Sequence, residues 1–215
     1  MNKQFTIILL CLLILAGCDS SQKPAQQEGA INHIGQMKLD HTQDKQMQPL
    51  QMLLGQALVM AAYGANMKLD GNDQGQNLLV DATGLLRRAM SGPEMTMMHK
   101  GGVDMSASMH QIHDLGDAAF DLLDLMMGLS ADDSNAVQLR KANELLAMAA
   151  SGHNMLLQAE SAGELGPVMQ KHARELLNQA EAGLAEIEGL GEYHKLILHL
   201  LRMHGMKDHH TPAKI

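Results

Sequence analysis

From Leu50 onward apolar residues recur every three or four positions with polar residues between them, a period that belongs to helices rather than strands. The pattern is plainest in the third such segment. There Met105, Met109, Ile112, Gly116, Ala119, Leu123 and Met126 follow a near-heptad seam, while Asp114, Asp117, Asp121 and Asp124 occupy the other side. β-Branched and aromatic residues are scarce and Ala, Leu, Met, Gln and Glu dominate, so strand signals are nearly absent. Turn chemistry divides the region. DGNDQG at 70–75 ends a first helix, KGGVD at 100–104 separates a second from a third, LSADDS at 129–134 precedes a fourth, and SAGELGP at 161–167 precedes a fifth. A last helix runs from about Glu192 to His204, with Gly205 as its stop. The pattern predicts an all-α fold, an antiparallel bundle of five to six helices with short connections.

Internal repetition supports that reading. LVMAAYGANMKL at 58–69 matches LAMAASGHNMLL at 146–157 at most positions, and LRRAMSGPEMTM at 86–97 is a weaker third copy. The second and fourth helices, and the third and fifth, align at an offset of sixty: Leu85 with Leu145, Ser91 with Ser151, Gly92 with Gly152, Met95 with Met155, Met109 with Met169. This predicts an internally duplicated helical hairpin. One copy departs at Pro93, which should end the second helix near Gly92.

The N-terminus carries one Lys at position 3, an apolar run from Phe5 to Leu15, and then Leu15, Ala16, Gly17 and Cys18. A run of that length fits a signal peptide and is short for a membrane-spanning helix, which needs about 20 apolar residues. The LAGC sequence resembles the lipobox of bacterial lipoproteins. That resemblance implies cleavage after residue 17, lipidation of Cys18 as the first mature residue, and a protein anchored in the bacterial envelope and facing the periplasm. Two or more acyl chains make a stable anchor where one is marginal. Asp19, directly after the Cys, resembles the signal that retains enterobacterial lipoproteins in the inner membrane. Residues 1–17 are then signal peptide and 18–47, rich in Gln, Lys, Asp and Ser, a flexible tether spanning roughly 30 Å. The helical bundle occupies 48–206, and 207–215 form a polar tail containing His209 and His210.

Removing the signal leaves 15 basic and 24 acidic residues, a balance of −9 with His neutral, which excludes nucleic acid as a partner. With two Phe, two Tyr and no Trp, the core must be built from Leu, Ala and Met. Cleavage also removes Cys11, and lipidation consumes Cys18, so no thiolate remains. What remains is eighteen methionines and twelve histidines. Thioether and imidazole select soft metals such as Cu(I) and Ag(I) in an oxidising compartment. In composition the chain is similar to the Met-rich copper-handling proteins of bacterial envelopes.

The densest donor cluster straddles the turn between the second and third helices. Met95, Met97, Met98, His99, Met105, Met109, His110 and His113 lie within nineteen residues, and Met105, Met109 and His113 form an i, i+4, i+8 stripe. At the C-terminal end His199, Met203 and Met206 share a stripe, with His204 nearby. At the N-terminal end His33, Met37 and His41 align if that stretch is helical. Met60, Gly64 and Met67, like Met148, Gly152 and Met155, put two sulfurs on one helical face with a gap between them, a spacing that close helix packing also explains.

No HExxH, di-iron ExxH pair, CxxCH, GxSxG or GxxxxGK[ST] motif occurs, so nothing in the sequence supports an enzyme. The expected function is a lipid-anchored envelope protein that binds copper or silver through Met and His for sequestration or transfer. The alternative is an envelope adaptor whose Met-rich helical surface binds a protein partner. Haem held between His and Met is a third reading, without an attachment motif.

Overall fold

The helix breaks fall where the turn residues lie. In a computed structural model the backbone is described for residues 35–91 and 107–204, and the side chains for 48–91 and 110–204. Six α-helices occur among them: α1 (Gly35–Leu69), α2 (Gln74–Met90), α3 (Ala107–Met127), α4 (Ala136–Ala159), α5 (Gly166–Gly183) and α6 (Gly191–Arg202). Short 3-10 turns, Gly163–Leu165 and Leu184–Ile187, lead into α5 and out of it. No strand is present among the described residues. Gly71 adopts φ +73° in the turn after α1, a conformation that disfavours residues with a side chain, and this is why DGNDQG stops the helix there.

The expected all-α bundle is observed. α2 packs on α3, α4 on α5 and α6, and α3 on α6, so both halves related by the offset of sixty are helix pairs in contact. The α3 seam behaves as its pattern predicts: Ile112, Gly116, Ala119, Leu123 and Met126 are buried, and Asp114, Asp117, Asp121 and Asp124 are exposed. Met105 of that seam lies outside the described residues.

Two features differ from the sequence expectation. α1 begins at Gly35, inside the stretch expected to be a flexible tether, so residues 35–47 are helical. That stretch is polar but has no Gly or Pro from 36 to 48, and its Gln, Met and Lys favour a helix without giving it an apolar stripe. Pro49 lies within α1, although its ring removes one backbone hydrogen bond. The core is also made differently. It is almost entirely Leu and Ala, and Met126 is the one methionine buried among the described side chains. Met60, Met90, Met127, Met148 and Met203 pack against its margin, half-buried. Leu fills core space with less loss of rotamer freedom than the longer, unbranched Met.

Close helix approach depends on small residues. A Cβ on Gly152 of α4 would lie 2.9 Å from the Ala173 carbonyl oxygen of α5, and one on its repeat partner Gly64 would lie 2.9 Å from the Gly75 carbonyl oxygen of α2. The repeated glycine therefore serves the same packing role in both copies. Polar groups fix the register. Tyr193 Oη of α6 donates to Asn143 Oδ1 of α4 at 2.7 Å, and Asn143 Nδ2 donates to Asn66 Oδ1 of α1 at 2.8 Å. Free carbonyls at helix ends are met by cations: Arg140 Nη2 donates to the Leu69 carbonyl at 2.6 Å, and Lys68 Nζ donates to that of Met127.

Candidate functional site

The C-terminal parts of α4 and α6, the first turns of α3 and the side chains of α1 from residue 48 meet at one end of the bundle. Gln48 Nε2 of α1 donates to the Leu157 carbonyl of α4, and Gly55 of α1 gives way to the Asn154 side chain. His199 Nε2 of α6 donates to the Gln111 carbonyl of α3 at 3.1 Å. That bond joins His199 to the turn of α3 that carries His110 and His113, the described members of the first sequence-predicted cluster.

The centre of this end is a pair of histidines. His153 of α4 is fully buried, and its Nδ1 lies 2.7 Å from Nε2 of half-buried His204, in the turn that follows α6. The ring centroids are 4.9 Å apart and the planes tilted by 55°, so the contact is edge to edge through nitrogen rather than stacked. At 2.7 Å one ring donates its N–H to the bare nitrogen of the other, so the accepting ring is neutral. Burial, reinforced by the neighbouring His204 and His199, lowers the His153 pKa to about 3. The Gln51 main-chain carbonyl of α1 opposes that shift. Burial, reinforced by the Arg174 guanidinium, lowers His204 to about 4. His199 is lowered as well, chiefly by burial, with the Gln111 carbonyl and Asp114 acting against it and Arg202 and Lys195 with it. Near neutral pH the cluster is therefore a set of unprotonated imidazoles, the form in which histidine binds metal.

Two buried polar atoms here have no hydrogen-bond partner of normal geometry: His153 Nε2 and Asn154 Oδ1. Such orphans are uncommon in folded proteins and mark places where packing alone does not explain the residue.

The candidate residues distribute as follows. Met95, Met98, His99, Met105 and Met206 lie outside the described residues, and of Met109 only the helical backbone of α3 is described. His110 is exposed. His113 is half-buried, with Nδ1 3.2 Å from Asp117 Oδ2 one turn along the same helix. Met203 is half-buried against the core. His199 has its Nε2 engaged by Gln111, and it is His204 that meets the interior pair. His153 was not among the candidates. Its signal lies in the repeat, where LVMAAYGANMKL has Ala65 at the position that LAMAASGHNMLL fills with His153. The two nitrogens are not completed to a set of three His, Cys, Asp or Glu ligands among the described residues. No described helix is long and apolar enough to cross a membrane. Cys18 and the whole signal region lie outside the described residues.

Comparison with protein-family models, with curated proteins and with solved structures finds no match to this chain.

Proposed function

We propose that this chain is a lipid-anchored protein of the bacterial envelope that binds copper or silver through histidine and methionine, for sequestration or transfer. The observation that carries the proposal is the His153–His204 nitrogen pair. Two imidazoles stand 2.7 Å apart, one of them fully buried, and both are held unprotonated well below neutral pH. Metal binding needs that protonation state, and in this chain no proton has to leave either ring near pH 7 before an ion enters. The half-buried methionines add support, since a sulfur at the core margin is nearer to an incoming ion than one sealed inside. In this reading LAGC supplies the anchor at Cys18, the periplasm supplies the oxidising surroundings that favour thioether over thiolate, and the net negative charge attracts cations.

The test is an anaerobic titration of the mature chain with Cu(I) against a competing chelator. One variant carries His153→Leu with His204→Gln, and a second carries Met105→Leu, Met109→Leu and His113→Gln. The first should bind one ion fewer than the wild type. Loss in the second variant instead moves the site to the α2–α3 connection, and absence of uptake by the wild type refutes the proposal.

A further inference from the structure

We infer that the His153–His204 nitrogen pair is a site for a monovalent d¹⁰ ion, Cu(I) or Ag(I), held between two imidazoles, and that it discriminates against Zn(II) and Cu(II). This rests on the metal-binding reading above and specifies which ions the site accepts.

Three observations carry it. First, both ligand atoms are imidazole nitrogens, so the ligands bring no negative charge to offset that of the ion. Second, one ring is fully buried, and the cost of bringing an ion out of water rises with the square of its charge. Third, the charged groups that act on the cluster are mostly cations. Arg174 of α5 acts on His204, Arg202 and Lys195 of α6 act on His199, and Asp114 of α3 is the one carboxylate among them. Each cation repels a dication twice as strongly as a monocation.

Coordination geometry points the same way. Zn(II) and Cu(II) take four or more ligands, whereas soft d¹⁰ monovalent ions accept few and favour nitrogen and sulfur donors. A bond of about 2 Å to each nitrogen puts the two about 4 Å apart in a straight N–metal–N arrangement. The pair must then open from its present 2.7 Å. His153 is fixed in the interior of α4, so the movement falls to His204, two residues beyond the end of α6 at Arg202 and held there by a main-chain bond from its N–H to the Leu201 carbonyl at 3.1 Å. The proton shared by the two nitrogens shifts to the far nitrogen of its own ring, so both rings stay neutral and both contact nitrogens are bare when the ion enters between them.

The experiment follows the imidazole nitrogens of the mature chain by ¹⁵N NMR at neutral pH, with silver nitrate and zinc chloride as separate probes. Ag(I) at one equivalent should shift His153 Nδ1 and His204 Nε2, Zn(II) should leave them in place, and His204→Gln should weaken the Ag(I) response at His153 at least tenfold. Arg174→Gln, an exposed change that leaves the core intact, should raise Zn(II) affinity at the pair more than Ag(I) affinity. If Zn(II) shifts the same nitrogens as tightly as Ag(I), the selectivity is refuted while metal binding stands. If Ag(I) moves only methionine methyl signals elsewhere, the site assignment fails. If neither ion perturbs histidine or methionine signals, both this inference and the proposed function fall.

Discussion

Mild acid should weaken this protein chiefly through one buried ring. Unfolded, His153 binds a proton near pH 6.5; folded, it does so only near pH 3. Between those values the unfolded chain holds a proton that the folded chain refuses, so stability is full above pH 6.5 and declines as the pH falls. Each pH unit inside the window removes up to about 1.4 kcal/mol. From pH 6.5 to about pH 5, above the range in which ordinary carboxylates titrate, His153 alone accounts for a loss of about 2 kcal/mol. His204 shifts in the same direction, but it is partly exposed, and solvent screening holds its share well below that. The assay is metal-free urea denaturation, followed by far-UV circular dichroism, of the mature chain carrying Cys18→Ser. It is run across the window with and without His153→Leu. Leu is apolar and close in volume, and it leaves the half-exposed His204 nitrogen to water. The other histidines are common to both proteins, so the difference in slope isolates the pair. The variant should lose markedly less stability than the wild type; equal slopes would refute the assignment of His153 as a ring kept neutral by the fold.

Tyr193→Phe removes the donor to buried Asn143 Oδ1 and should lower stability by about 1–3 kcal/mol in the same denaturation assay. Gly152→Ala would set a Cβ 2.8 Å from Leu177 Cγ and 2.9 Å from the Ala173 carbonyl oxygen, so it should destabilise by about 1–3 kcal/mol. Gly84→Ala meets nothing within 4 Å on the exposed face of α2 and should instead stabilise by about 0.5–1 kcal/mol. Cys18→Ser should shift the chain from the membrane fraction to the soluble fraction; its continued sedimentation with membranes would count against lipidation as the anchor.

The bundle was legible where amphipathic helices leave a local trace. The α3 seam and the turn at 70–75 are readable because one face must be buried and because Gly71 needs a positive φ. The N-terminal part of α1 was hidden because helical propensity without an apolar stripe looks like a linker. The site was less legible for a different reason. Spacing along one helix finds residues that share a face, such as Met105, Met109 and His113, but His153 and His204 meet across fifty-one residues through the packing of α4 against α6. No sequence offset encodes that contact. Of the stripe of His199, Met203 and Met206, the described His199 and Met203 lie at the same end of the bundle as the His153–His204 pair. The interior contact is made by His204, the neighbour that the stripe left aside.

The repeat turns the histidine into an argument about function. In one copy of the motif Ala65 fills the buried position, and in the other His153 does, each beside the glycine that lets the next helix approach. The fold thus has its own demonstration that a small apolar residue suits this place. Packing alone gives no reason for a buried imidazole whose Nε2 has no hydrogen-bond partner of normal geometry, which costs desolvation that Ala avoids. His153→Ala therefore separates structure from function. Metal-free near pH 7, the variant should stay close to wild-type stability, because relief of that buried nitrogen offsets the volume lost. With Ag(I) at a hundred times its dissociation constant, the wild type should gain about 2.7 kcal/mol from binding at this pair, and the variant should lack that increment. A variant that melts far below the wild type without metal would make His153 a packing residue, and one that keeps the whole silver-induced rise would assign the ion to other donors.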